Sequence, residues 1–160
     1  MEKSMVATAT ILIIIISIMS ASPVSAAGDA QLPPDIQMIT PINQIPQNIT
    51  AFFGKFEGWW VNATHSILIV REIMPTTKQD IYEARVVYSW GSSPSGRLKP
   101  GFRETIGKIE NGYLILTSKD KPEEIKFSLN RDKDMDAYHM DTQTGSIMAR
   151  AIFKKLDTAR

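Results

Sequence analysis

The chain has 160 residues, and 18 lysines and arginines against 17 aspartates and glutamates give it a formal net charge of +1. That balance excludes any general electrostatic pull toward nucleic acid or acidic membrane surfaces. Cysteine is absent, which excludes disulfides, a thiolate nucleophile, cysteine-ligated metal sites and a lipid-modified N-terminal cysteine.

Lys3 precedes an almost wholly apolar stretch from Met5 to Met19 that includes ILIIII, and small residues follow in SPVSAA. Charge, apolar core and a small-residue cleavage site in that order describe a secretory signal peptide over residues 1–26, cut after Ala26 or Ala27. The apolar run is shorter than the roughly 20 residues of a membrane span, so no integral membrane segment is expected in the mature chain. An exported domain without disulfides must be held by its core alone. That combination points to bacterial export, periplasmic or extracellular.

Residues 27–51 read as a proline-rich linker. Pro33, Pro34, Pro41 and Pro46 forbid a helix interior and block ladder hydrogen bonds. Ile36, Ile39, Ile42 and Ile45 recur at every third position, the period of polyproline II. The stripe suits a semi-extended linker, or else an apolar edge that lies along the domain or docks a partner.

From Phe52 the pattern changes to short β-branched and aromatic runs separated by turn residues. FEGWWV (56–61), SILIVREI (66–73), IYEARVVYSW (81–90), FRETIGKI (102–109), YLILTS (113–118), EIKFSL (124–129), DAYHM (136–140) and SIMARAIFKKL (146–156) form the series. These runs, without a useful helical period, predict an all-β domain over residues 52–157. Asn111-Gly112 is a strong hairpin signal, because a type I′ turn needs positive φ at both central positions. Short links throughout favour an antiparallel up-and-down β-barrel over a Greek key.

Adjacent residues on a strand point to opposite faces, so Trp59 and Trp60 cannot share a task. Phe56, Gly58 and Trp60 lie on one face and Glu57, Trp59 and Val61 on the other. The F-x-G-x-W arrangement resembles the opening strand of calycins, the group that contains lipocalins and avidins. The resemblance implies that Gly58 lets the strand bend, that Trp60 plugs one end of the barrel, and that Arg150 packs across its ring. The chain lacks the helix lipocalins carry before their last strand, which brings it nearer the smaller avidin plan. The wider FxGxWW…VVYSWG pattern is similar to exported bacterial proteins and implies no activity.

Alternation places Tyr82, Ala84, Val86, Tyr88 and Trp90 on one side of the third run. The two tyrosines and the tryptophan are candidate ligand-binding residues, with aromatic walls and phenolic hydroxyls, unless they simply fill the interior. The loop at 91–101 follows at once, with glycines at both ends. Arg97, Lys99 and Arg103 would give it a basic rim able to meet a carboxylate or phosphate, and Arg97 or Lys99 would gate the site.

Chemistry is sparsely signalled. His65 and His139 have no metal-ligand spacing, and no nucleophile elbow, phosphate-cradling loop or HExxH motif occurs, so neither a cofactor nor a metal site is expected. His139 with Asp136 or Asp141 is the weak catalytic candidate, for a hydrolase or isomerase. NRDKDMD (130–136) alternates acidic residues but lacks the calcium-loop glycine and reads as a polar turn. The expected function is therefore non-enzymatic binding of a small apolar or amphipathic molecule inside the barrel. The alternative is a solid-cored interaction or inhibitor module that docks through Trp59 or the isoleucine stripe.

Overall fold

A computed structural model of the protein describes residues 28–156. The expected signal peptide lies outside the described residues. A short helix, α1 (Gln47–Thr50), precedes strands β1 (Gly54–Trp60), β2 (His65–Pro75), β3 (Tyr82–Trp90) and β4 (Gly101–Glu110). Strands β5 (Tyr113–Thr117), β6 (Glu123–Leu129), β7 (Met135–Asp141) and β8 (Ile147–Leu156) complete the chain. Each strand pairs antiparallel with the next, and β8 returns to β1 to close an up-and-down barrel of eight strands. The all-β expectation holds strand by strand, and the closed up-and-down plan is consistent with a calycin-like fold.

Closure follows from strand patterning. In β1 the buried positions are Gly54, Phe56, Gly58 and Trp60, the inward set of a period-two strand. In β3, Ala84, Val86 and Tyr88 enter the core, with Tyr82 and Trp90 packed partly buried against it. Asn111 and Gly112 take φ of 51° and 78° and join β4 to β5 as a type I′ turn requires.

One feature breaks the alternation. In β2 a bulge at Arg71 shifts the register, so that Val70 pairs with Val86 and Ile73 with Ala84. The extra residue lets Val70 and Ile73, three apart in sequence, both point inward.

The barrel interior toward the α1 end is filled by side chains. Phe56, Phe127, Phe153, Leu68, Leu114 and Met135 are fully buried there. Phe127 and Phe153 meet edge to face at 5.4 Å, an arrangement favoured by the ring quadrupoles. Gly58 is required by close approach. A Cβ at that position would stand 2.5 Å from the Ile152 carbonyl oxygen and 2.9 Å from the Phe153 ring.

The segment expected as a linker behaves differently. Ala30, Leu32 and Ile36 pack on Ile67, Ile69 and Val87, which form a small cluster on the outer face of β2 and β3. Ser89 Oγ donates to the Gln31 carbonyl, and the Ile39 N–H donates to the Arg71 carbonyl at 2.7 Å. The isoleucine stripe then divides. Ile39 and Ile42 are exposed, whereas Ile45 joins Ile49 and Phe52 in the main core at the end of the barrel where β1 begins. These residues cover that end, and Trp60 lies at the other. The short helix α1 brings Ile49 into the core, and the residues flanking it add Ile45 on one side and Phe52 on the other.

Candidate functional site

Trp60 sits at the far end of β1 from α1, turned inward and 8% exposed, while Trp59 is 52% exposed. The Trp60 indole N–H donates to the Tyr88 hydroxyl at 3.0 Å, and that hydroxyl donates to Ser66 Oγ at 3.3 Å. Trp60 also meets Phe153 edge to face at 5.9 Å. The pair Trp60 and Tyr88 thus lies directly on the aromatic layer that fills the barrel below.

Above that layer the barrel is hollow. A cavity of about 280 Å³ opens at this mouth, lined by Trp60, Tyr88, Trp90, Leu98, Arg103 and Leu116 among others. Thr64, Ser118, Glu123, Ile125, His139 and Ala149 complete most of its wall. Its volume lies just below the usual range for small-molecule pockets, roughly 300–1,000 Å³.

The wall is mainly apolar with a few polar groups, each with a defined state. His139 Nε2 lies 3.2 Å from Glu123 Oε2 on the neighbouring strand. Glu124 is paired with Lys126 at 2.9 Å. Arg103 stands opposite Tyr88 in the β3–β4 register, and its Nε is buried without a hydrogen-bond partner. The Thr64 hydroxyl is likewise buried and unpartnered. Burial pushes the Tyr88 phenol pKa up, opposed by its hydrogen bonds to Ser66 and Trp60 and by the charge of Arg103. The phenol therefore stays neutral and is no counter-ion for Arg103.

Of the residues expected to bind, the fold brings Tyr88 and Trp90 to the cavity, with their rings 6.0 Å apart. Tyr82 packs at the opposite end of the nine-residue strand β3, away from the mouth. Arg97 and Lys99 are exposed in the loop and stand outside the cavity wall, to which that loop contributes Leu98. The Lys99 carbonyl accepts the Trp90 indole N–H at 3.0 Å, so this residue contributes its backbone to the mouth.

Arg150 requires a correction. It lies on the outer face, its guanidinium carbon 5.8 Å from the centre of the Tyr138 ring, and does not cross Trp60. Ala149, Ala151 and Phe153 are the inward residues of β8, which sends Arg150 out. Phe153 takes the place against Trp60 that the resemblance assigns to a cation.

Sequence reasoning also missed the partner of His139. It sought an aspartate on the same strand, whereas Glu123 reaches across from β6, where the ladder sets Ile125 beside His139. Cross-strand neighbours carry no sequence spacing, so only the strand register could have revealed the pair.

No protein-family model and no curated protein matches the chain.

A second concavity runs outside the barrel along β7, β8 and β1. Trp59, Val61, Tyr138, Arg150, Ile152 and Leu156 line it, over about 730 Å³. Trp59 stacks on His65 with ring centres 4.6 Å apart. His65 Nε2 donates to Glu57 at 2.7 Å, and its Nδ1 accepts the Ala30 N–H at 3.0 Å. Through these two contacts His65 ties the N-terminal strap to the barrel.

Proposed function

We propose that the protein is an exported, calycin-like carrier, non-enzymatic, that takes a small, partly apolar molecule into the open end of its barrel. The observation that carries this reading is the contrast along the barrel axis. Large side chains pack the lower part fully, yet about 280 Å³ is left open where Trp60, Tyr88 and Trp90 converge. Concave, mostly apolar sites with a few placed polar groups are the usual form of small-molecule sites. Native mass spectrometry of the protein purified from its own host tests the proposal. A retained mass lost on denaturation is expected; a bare protein that also fails to take up apolar probes would overturn it. The same spectrum gives the mature mass, and a chain beginning at Ala27 or Gly28 is expected for an exported protein.

The outer groove favours a second reading, a module that docks a partner through this outer face. Exposed Trp59, Val61 and Ile152 are grouped there rather than scattered. Replacing Ile152 by aspartate separates the two, because uptake into the mouth should survive it while any association through this face should be lost.

A further inference from the structure

Three cationic side chains follow Trp90 in the sequence, and Arg103 alone turns into the barrel. Its position on β4 opposite Tyr88 fixes it in the wall, so it does not move with the loop. Strand β5 pairs with β4 only over Lys108–Glu110, so the β4 backbone around Arg103 has a strand neighbour on its β3 side alone. The cavity wall on the other side is completed by Leu116, Ser118 and Glu123.

A guanidinium in such a wall normally has a carboxylate partner, because burying any part of an unpaired charge is costly. Here the nearby carboxylates are engaged elsewhere, Glu123 by His139 and Glu124 by Lys126. Tyr88 shares its hydroxyl with Trp60 and Ser66. Arg103 is thus the charged group of the wall whose Nε–H has no acceptor among the described residues.

We propose that Arg103 is the anion-recognising group of this cavity, and that the ligand is a small monocarboxylic acid with its apolar part against Trp60, Trp90 and Leu116. The planar guanidinium fork matches a carboxylate in a bidentate pair. A single negative charge is favoured over a dianionic phosphate. One unpaired cation faces the cavity, and the Glu123 and Glu124 carboxylates nearby would repel a second charge.

This assignment rests on the carrier reading, and the test separates the two. The purified mature chain is titrated calorimetrically with octanoate, octanamide and octylamine, which share a tail and differ in head group. Wild type should prefer octanoate over octanamide by about tenfold to a hundredfold, the span of a hydrogen bond to a charged group. Arg103→Met should reduce octanoate binding to that of octanamide and leave octanamide unchanged. Arg103→Lys, which keeps the charge but loses the fork, should retain part of the preference. Unaltered melting of the variants shows that the barrel is intact. If Arg103→Met does not fold, the wild-type preference and the lysine variant decide. Equal affinity of wild type for octanoate and octanamide, tightest binding of octylamine, or a preference that survives in Arg103→Met would overturn the assignment and leave the carrier standing. Failure of all three compounds to bind wild type would remove the carrier and the anion site together.

Discussion

Trp60 turns inward from β1 and gives its indole N–H to Tyr88, while Trp59 turns outward and stacks on His65. That division was legible, since period-two alternation is forced by the pleat. The outward placement of Arg150 was legible by the same rule. Phe153 is the one aromatic residue of the last strand and faces the core, and a residue three positions away must face the other side. The analogy with a cation across tryptophan overrode that phase, because the inward neighbours of Arg150 are small alanines that barely mark it. At Gly58 the added methyl of an alanine would collide with the Ile152 carbonyl and the Phe153 ring. Gly58→Ala should destabilise the protein by about 1–3 kcal/mol, the usual cost of overpacking, measured by urea denaturation. Tyr88→Phe leaves the buried Trp60 N–H without an acceptor and should cost about 1–3 kcal/mol. It should also change the alkaline limb of stability. The folded Tyr88 pKa is raised by burial, so above the unfolded value the unfolded state binds fewer protons than the folded one. Stability is then undiminished below the unfolded pKa of about 10 and falls as pH rises toward the folded pKa. Denaturation at pH 9, 10 and 11 should show a shallower loss in Tyr88→Phe than in wild type.

Strands and their turns were legible because each carries its own signal, such as alternation in β3 or Asn111-Gly112 between β4 and β5. The strap over β2 and β3 carries no such signal within itself. Polyproline II period in residues 36–45 describes a conformation without naming what it touches. A hint did exist on the other side of the contact. The run ILIV in β2 is apolar at successive positions, the mark of a strand buried on both faces. Something had to cover Ile67 and Ile69, and the segment through Leu32 and Ile36 does so. Joint replacement Leu32→Asp and Ile36→Asp should therefore lower stability by about 1–3 kcal/mol, the share expected of two partly buried aliphatic side chains. The same double change at exposed Ile39 and Ile42 should alter stability by less than about 0.5 kcal/mol. Equal effects from the two pairs, in thermal melts run side by side, would mean that the strap contributes nothing by packing.

At the scale of the molecule, strand number and neighbour order followed from evenly spaced runs and short links. Which end is stoppered did not. Ile45, Ile49 and Phe52 lie in or beside a proline-rich stretch, and their burial depends on where the completed barrel leaves its base open. The mouth was legible in part, since Tyr88, Trp90 and the loop after them were expected there and line it. Its hollowness was not, because that is a difference of volumes between strands far apart in sequence. Closure itself joins the most distant strands, with β1 and β8 paired from Lys55 with Leu156 through Trp60 with Ala151. A barrel of this kind has no stable subset, because removing one staves opens two edges and exposes the common core. A chain ending at Gln143 would lose β8 and with it Phe153, which is fully buried between Trp60 and Phe127. That truncation should abolish the cooperative melt seen by far-ultraviolet circular dichroism and should self-associate in sedimentation velocity through the bared edges of β1 and β7. Adding a peptide of residues 144–156 should restore a monomeric, cooperatively melting species, since the missing strand supplies both ladders and the phenyl ring at once. A truncated chain that stays monomeric and melts cooperatively without the peptide would show that β1 and β7 can close on one another. In that case β8 would be an ornament of the fold rather than the strand that seals it.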